Sequence, residues 1–321
     1  MTKTLSAALA VLFVDRGVRL VQTADGLTKQ ANDRLRDTAG VIAALLAATD
    51  FSNSVDVDDT LQACRNLLST TYNQVRSESV ESLAQLPAIE RDFVVESINA
   101  AANQTLMRAP RLTVSEPDID GSSVSAWWKG QEADTQAKLV HAVRAAILER
   151  LKAQDIADSI TAATGPLATA MRHAETLTHT AVQRVAMDTR NAVFAANRVV
   201  VEGLQVVATL DSHTCAQCLA YDGSTYSLEG EPTGNTVLPF NGGPAYHFGC
   251  RCGTVPTMKG DEAPEPLTAQ DWLGGKTEAE QDDILGKGRA ALYRKGSLTL
   301  RDLVSGTGQQ LSLDDLRKKH N

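Results

Sequence analysis

The feature that most constrains this chain is a short window that holds four of its five cysteines and a histidine. Two thiols stand three residues apart, and after 28 further residues a histidine and two more thiols follow. The candidate donors are Cys215, Cys218, His247, Cys250 and Cys252. Two cysteines at this spacing can present both sulfurs to one ion, and a second pair from elsewhere in the chain completes a tetrahedron. The window therefore predicts a small folding unit organised around a metal ion.

Five donors compete for four positions in such a site. His247 and Cys250 repeat the spacing of the first cysteine pair, which favours these two pairs as one ligand set. The step of two residues from Cys250 to Cys252 also allows both of these thiols to bind. Four thiolates would leave two net negative charges around Zn²⁺, whereas three thiolates and an imidazole leave one, and Arg251 is placed to offset either. We predict one structural Zn²⁺ held by four of the five donors.

Other chemistries compete with a structural metal at this window. One or two disulfide bonds are an alternative in an oxidising compartment, and unligated thiols are another. A hydrolytic zinc site keeps an open position beside a carboxylate base, and here the nearest acids are Asp211 and Asp222. Cys215 would need His213 as the base to act as a nucleophile, and a thiol in such a cysteine pair is more simply a ligand. We therefore predict no catalytic residue and no enzyme activity.

Composition favours helices that pack through small side chains. Hydrophobic residues make up 43% of the chain but aromatic residues only 4%, whereas a β-sandwich usually needs more aromatic and β-branched filling. We predict a mainly α protein, with a helical N-terminal body and a long helix before a small α+β zinc-knuckle module and a helical tail. The predicted segments are an N-terminal helical region (1–108), a helical stalk with the long helix (109–198), the metal-binding module (199–258) and the C-terminal tail (259–321).

Helical periodicity and local breaks set the predicted boundaries in the first half. Apolar residues recur at helical steps from the N-terminus onwards, and Val14 and Val18 are predicted to lie on the buried face. Glycines such as Gly40 are predicted to bend or break this helix. Asp58 is predicted to cap a second helix, and Pro87 to open a third.

The second half predicts a long helix followed by short strands. The long helix is expected at 167–197, and the adjacent Trp127 and Trp128 are expected to anchor the helix before it on its neighbours. After residue 198 the apolar pattern changes, because short runs rich in valine, threonine and tyrosine replace the helical period. Strands are predicted at 199–201, 206–208, 225–227 and 253–255, and tail helices around 284–293 and 311–319.

Charge and hydropathy limit the partners of the chain. The net charge of −8 and the isoelectric point near 5.3 do not favour DNA contact. The basic run Arg317–Lys319 is short and follows two aspartates. The apolar run Leu5–Val14 is too short to cross a bilayer as a helix, and we predict a buried amphipathic helix and no membrane association.

The window and its flanks resemble the C-terminal module of the phage Mu F-like head morphogenesis proteins, the minor head proteins of tailed phages. The resemblance covers roughly residues 170–321, and the N-terminal helices match only in character. This chain departs from the family at Met187-Asp188-Thr189, where Arg-Thr-Glu is frequent, and at Ala245-Tyr246, where prolines often precede the histidine. The matching residues are the run 202–215, Cys218, Asp222-Gly223, Tyr226, the run 247–252, Trp272-Leu273, and the runs 285–289, 300–304 and 311–313.

The resemblance implies a structural function. It implies a minor head protein of the virion, located in the head near the portal and present in the host cytoplasm during assembly. Its expected partner is the phage portal protein, with the major capsid or scaffold protein as further candidates, and its expected role is capsid assembly, extending to genome packaging or ejection. A zinc-dependent nuclease acting on phage DNA is the alternative, but it needs further acid or histidine residues near the metal. A toxin carried on the same scaffold would need an extra catalytic domain.

Overall fold

The protein is mainly α-helical with a small sheet region, which confirms the predicted fold class. The computed structural model describes residues 5–103, 105–112, 116–261 and 268–320. The sequence predicts a loop at 109–123 and a hinge that contains Pro264 and Pro266. Both prolines and part of this loop lie outside the described ranges. In the described part of the chain, no helix combines the length and apolar character of a membrane span. The helices are α1 (Leu5–Ala47), α2 (Ser54–Ala102), α3 (Val124–Leu148), α4 (Ala153–Thr161), α5 (Pro166–Ala196), α6 (Ala216–Tyr221), α7 (Ala269–Gly274), α8 (Glu278–Leu285), α9 (Lys287–Arg294) and α10 (Leu313–His320), with a 3₁₀ helix at Leu300–Leu303.

The strands form one hairpin and one four-stranded antiparallel sheet. The sheet has the order β5-β4-β3-β6, so β6 is an edge strand and β3 lies between β4 and β6. The two predicted valine-rich runs near residue 200 form the single strand β3, and the predicted strand at 225–227 is confirmed as β4. The strands are β1 (Asp118–Ile119), β2 (Ser122–Ser123), β3 (Val201–Val207), β4 (Thr225–Ser227), β5 (Pro232–Thr233) and β6 (Gly253–Met258).

Helix α1 continues through the positions where a break was predicted. Gly40 lies inside the helix, and a side chain placed there would meet no atom within 4 Å, so the glycine does not end the helix and is not required by packing. The prediction for Val14 and Val18 was wrong, because these side chains are 48% and 55% exposed. They line an apolar cleft of about 290 Å³ instead of the core.

Helix α2 is continuous through two positions that were predicted to begin helices. It begins at Ser54, and Asn53 accepts a hydrogen bond from the Val55 amide at its start, so Asp58 is not the cap. Pro87 lies in the helix interior and does not open a third helix. An interior proline costs about 3 kcal/mol through its missing N–H and its clash with the preceding turn. Buried side chains on both sides of the proline, such as Leu86, offset this cost by holding the helix against its neighbours.

The chain forms two compact units, and each is built from segments that are distant in sequence. One unit contains residues 1–20, 87–113 and 183–321, and the other contains residues 21–86 and 114–182. The three longest helices α1, α2 and α5 therefore each contribute residues to both units. The units do not follow the four consecutive segments that were predicted from local patterns.

The unit of residues 21–86 and 114–182 is held together by helix-to-helix contacts. Tyr72 of α2 is buried, and its hydroxyl lies 2.9 Å from the Thr135 hydroxyl of α3. The predicted role of the tryptophan pair is confirmed: Trp128 is buried, and Trp127 donates its indole N–H to the Ile119 carbonyl at 2.8 Å. Both tryptophans therefore anchor α3 within this unit.

In the other unit, α5 covers the outer edge of the sheet. Gln183 donates its amide N–H to the Cys252 carbonyl, and Arg190 donates from Nη1 to the Thr254 carbonyl at 3.0 Å. Thr254 lies on the edge strand β6 and Cys252 directly before it, so these carbonyls would otherwise be unpaired acceptors at the edge of the sheet. Arg190 is itself held by Glu90 of α2 at 2.6 Å. The helical part and the sheet of this unit are therefore joined by buried polar contacts.

The C-terminal tail belongs to the same unit as the sheet. Asp222 accepts hydrogen bonds from the amides of Ala208 and Ala269, both at 2.8 Å. Gln217 of α6 donates to the Gly308 carbonyl at 2.8 Å. The predicted tail helix around 284–293 is two helices, α8 and α9. Apolar contacts between α6 and the tail involve Leu219, Leu273, Leu285, Leu300, Leu303 and Leu316.

Candidate metal centre

The first half of the candidate site is formed where β3 gives way to α6. A turn closes with a hydrogen bond from the Thr214 amide to the Asp211 carbonyl at 3.0 Å. Cys215 then serves as the N-cap of α6, and its sulfur accepts a hydrogen bond from the Cys218 amide at 3.3 Å. An N–H directed at sulfur stabilises the thiolate that a metal requires, and the following helical turn places the Cys218 sulfur on the same side.

The second half is formed by a turn that leads into β6. The Cys250 amide donates to the His247 carbonyl at 3.1 Å, and Gly249 adopts a φ of +75°, which L side chains rarely adopt. Cys252 directly precedes β6, whose first residue Gly253 pairs with Val207 at the end of β3. The pairing of β3 with β6 therefore brings together two halves that are far apart in sequence.

The five predicted donors converge in what we call the cysteine–histidine cluster. The His247 Nε2 atom lies 3.0 Å from the Cys215 sulfur and 3.3 Å from the Cys218 sulfur. The Cys218 and Cys250 sulfurs lie 3.8 Å apart. With metal–sulfur bonds of 2.3 Å, a tetrahedral ion separates two sulfur ligands by about 3.8 Å and a sulfur from a nitrogen by about 3.5 Å. The cluster can hold a metal ion.

The donors form two overlapping groups. Cys215, Cys218 and His247 lie within 4.8 Å of one another, and so do Cys218, Cys250 and Cys252. The sulfur of Cys218 is common to both groups. All five cysteines of the chain are free thiols, so the disulfide alternative is not realised. Cys64, the remaining cysteine, is buried in α2, where burial raises its pKa to about 11.

Three of the five donors of the cluster are buried, and Cys215 and His247 are partly buried. Cys218 is 4% exposed, and Cys250 and Cys252 are each 1% exposed. The cavity between the donors has a volume of about 10 Å³, which is close to the space of a single water molecule or ion. The space between the donors is therefore suited to a single ion.

The ionisable donors perturb each other strongly. Hydrogen bonding to Cys218 and His247 outweighs burial and lowers the pKa of Cys215 to about 4. Hydrogen bonds from Cys218 and Cys252 lower the pKa of Cys250 well below its usual value, whereas the pKa values of Cys218 and Cys252 are raised. Burial lowers the pKa of His247, but bonding to Cys215 and Cys250 raises it to about 11. The protons that the donors share are those that a bound cation displaces.

The surroundings of the cluster are also polar and well ordered. Arg251 forms a bidentate ion pair with Asp211, with N–O distances of 2.5 and 2.6 Å. This hydrogen bonding to Arg251 lowers the pKa of Asp211. The Thr209 hydroxyl donates to the Arg251 carbonyl at 2.9 Å, which ties the two halves of the site together. Hydrogen bonding to Asp211, and to a smaller extent the charges of Cys252 and Cys218, raise the pKa of Arg251. The predicted use of Arg251 to offset the charge of the thiolates stays a prediction.

Other histidines lie apart from the cluster. His213 is exposed, and its amide donates to Asp211, so Cys215 contacts His247 instead of the adjacent histidine. His179 lies 3.1 Å from Asp25 in the other unit. The sequence did not reveal the contact of Gln183 with the Cys252 carbonyl. A single glutamine in a long helix carries no local signal that it will meet an edge strand.

Comparisons of the chain with protein-family models, with curated proteins and with solved structures find no match.

Proposed function

We propose that this chain is a structural protein whose module at residues 199–258 is stabilised by one zinc ion, and that it is a minor head protein of a tailed bacteriophage. The observation that carries the first part is the cysteine–histidine cluster, whose five sulfur and nitrogen donors line one ion-sized cavity and form two groups that share Cys218. The second part is supported by the resemblance of residues 202–252 and the tail to the phage Mu F-like family. A role in capsid assembly at the portal vertex follows from that resemblance.

Zinc fits the chemistry of the donors. Thiolate and imidazole ligands in tetrahedral geometry favour Zn²⁺ over the hard, oxygen-preferring cations Ca²⁺ and Mg²⁺. Bound zinc would link the loop before α6 to the turn before β6, and so hold a sheet whose β4 and β5 strands are only three and two residues long. Such an ion contributes to folding because the donors do not assemble in the unfolded chain.

The nuclease alternative gains no support from the acids near the cluster. Asp211 is engaged by Arg251, and both oxygens of Asp222 accept backbone hydrogen bonds. A hydrolytic site needs a carboxylate free to act as a base beside an open coordination position. Neither acid is available in this way, so we favour the structural function.

Two independent measurements test the proposal. Metal analysis of purified protein is expected to find about one zinc per chain, and a metal-free wild type would refute the zinc module. Mass spectrometry and electron cryomicroscopy of phage particles are expected to find the polypeptide in the head at the portal vertex, and the protein is expected to co-purify with the portal. Absence from the particle, or an even distribution over all capsid faces, would refute the minor head assignment while leaving the zinc module intact.

A further inference from the structure

The cysteine–histidine cluster offers five donors, and the geometry points to the four that bind. We infer that Cys215, Cys218, His247 and Cys250 hold the ion, and that Cys252 lies outside the coordination shell and hydrogen-bonds to the bound sulfurs. The inference rests on the proposed metal site. In this assignment Cys252 adjusts the metal affinity of the site and is not one of its ligands.

The first argument concerns the orientation of His247. Its Nδ1 atom lies 2.8 Å from the Phe248 carbonyl oxygen, which can only accept a hydrogen bond, so Nδ1 carries the proton. Nε2 faces the sulfurs of Cys215 and Cys218, at 3.0 and 3.3 Å, and a bound cation displaces the proton shared there, so that Nε2 then presents its lone pair to the ion. A lone pair facing two electron-rich sulfurs is favourable when a cation lies between them. An N–H held by a backbone carbonyl is also the usual device that orients a metal-binding histidine.

The second argument concerns charge. A Zn²⁺ ion with three thiolates and a neutral imidazole carries one net negative charge, whereas four thiolates leave two. Arg251 is paired with Asp211 through two of its N–H groups, so its charge offsets a second negative charge at the cluster only in part. Among the described residues around this buried centre, the ligand set that contains His247 therefore carries the lower cost of burial.

The third argument concerns the position of Cys252. Its sulfur groups with those of Cys218 and Cys250, whereas Cys215, Cys218 and His247 form the other group. Cys250 completes a set of four with that other group, because its sulfur lies 3.8 Å from the shared Cys218 sulfur, the separation expected for two ligands of one tetrahedral ion. Its carbonyl is held by Gln183 of α5, and the next residue begins β6. The backbone of Cys252 is therefore fixed beside the sheet and α5, and its buried thiol lies next to the Cys218 and Cys250 sulfurs, where it is placed to donate a hydrogen bond. A hydrogen bond to a bound thiolate reduces the charge on the sulfur and adjusts metal affinity.

Cobalt substitution tests this assignment in the full-length protein. Co²⁺ alone is added to the metal-free chain, and the intensity of the sulfur-to-cobalt charge-transfer band reports how many thiolates bind. We expect the wild type to show the intensity of three thiolates and a tetrahedral visible spectrum. Cys252→Ser is expected to keep one metal per chain and the same intensity, with affinity for Co²⁺ lowered about 10- to 100-fold as for other outer partners.

Two variants serve as controls for the ligand positions. Cys250→Ser is expected to lose one third of the charge-transfer intensity, and His247→Ala is expected to lose the tetrahedral spectrum. A wild-type intensity of four thiolates, with a spectrum that survives in His247→Ala and loses one quarter in Cys252→Ser, would overturn the assignment while the metal site stands. A wild type that binds neither Zn²⁺ nor Co²⁺ would overturn both. The wild-type intensity decides between the two ligand sets even where a variant fails to fold.

Discussion

Substitution of Glu90 tests how much a buried ion network contributes to the free energy of unfolding of this protein. Its carboxylate is 0% exposed and accepts hydrogen bonds from Arg16 at 2.8 Å and Arg190 at 2.6 Å. Arg190 is only 1% exposed and lies 4.9 Å from the centre of the Phe13 ring. Burial lowers the pKa of Arg190, and the charge of Glu90 opposes this effect. The variant Glu90→Gln keeps the shape of the side chain and removes its charge.

The expected cost follows from the burial of the partners. Removing one member of a buried ion pair leaves an uncompensated charge and typically costs about 3–5 kcal/mol. Because glutamine still offers one acceptor oxygen, we expect about 3 kcal/mol, a large part of the total stability of a domain. The matched control is Glu229→Gln in the same unit. Glu229 is 64% exposed and lies 3.6 Å from Arg198, so its loss is expected to cost under about 1 kcal/mol.

Equilibrium urea unfolding, followed by far-ultraviolet circular dichroism, measures the free energy of unfolding of both variants. Hydrogen exchange of the α5 amides then locates the effect, since Arg190 lies on this helix. We expect faster exchange in Glu90→Gln around residue 190 and wild-type exchange in Glu229→Gln. Equal free energies of unfolding for the two variants would show that the buried network stabilises the protein no more than the exposed ion pair of Glu229 does, and would refute the expected cost of about 3 kcal/mol.

Three further perturbations test other parts of the structure. Cys218→Ser removes the sulfur common to both donor groups, and we expect loss of the bound metal by elemental analysis and a lower melting temperature; an unchanged metal content would contradict the site. Gly308→Ala would place a methyl group against the buried Tyr221 hydroxyl at a φ of +81°. It is expected to cost several times the about 1 kcal/mol expected for Gly296→Ala, where the φ of +70° is strained but nothing lies within 4 Å. Thermal unfolding compares the two variants, and equal losses of stability would contradict the clash. Burial raises the pKa of Asp302, but hydrogen bonds from its neighbours lower it to about 2 from its usual 3.8. Its stabilisation is therefore present above pH 4 and lost as the pH falls toward 2, so Asp302→Asn should cost about 1 kcal/mol near neutral pH and little at pH 2, and a cost independent of pH would refute this.

Local chemistry was sufficient for several predictions. The long helix was expected at 167–197 and extends over Pro166–Ala196, because a proline at the first turn and a continuous run of helix-forming residues mark both ends. The strand at Thr225–Ser227 was likewise found where expected. The donor residues of the metal centre were recognisable from their types and spacing, since thiols three residues apart are constrained by a single turn.

Long-range packing overruled local signals elsewhere. Pro87 normally marks a helix end, yet it lies inside α2, because the contacts of the helix on either side outweigh the missing hydrogen bond. Val14 and Val18 follow the apolar period but are exposed on a cleft, since the buried face of α1 is set by Leu9 and Phe13. Periodicity reports that a helix has an apolar stripe but does not report which neighbour covers it.

By itself the sequence determined that this chain is mainly helical and that five donors can meet at a metal, because both properties depend on residue type and on spacing within a few turns. Only the tertiary structure decided how the donors meet. Pairing of β3 with β6 joins the two halves, and Gln183 of α5 secures the strand that carries Cys252. The same packing pairs Arg251 with Asp211, which local spacing could not show. These contacts join residues about 40 to 70 positions apart, and their free energy exists only once the chain has folded.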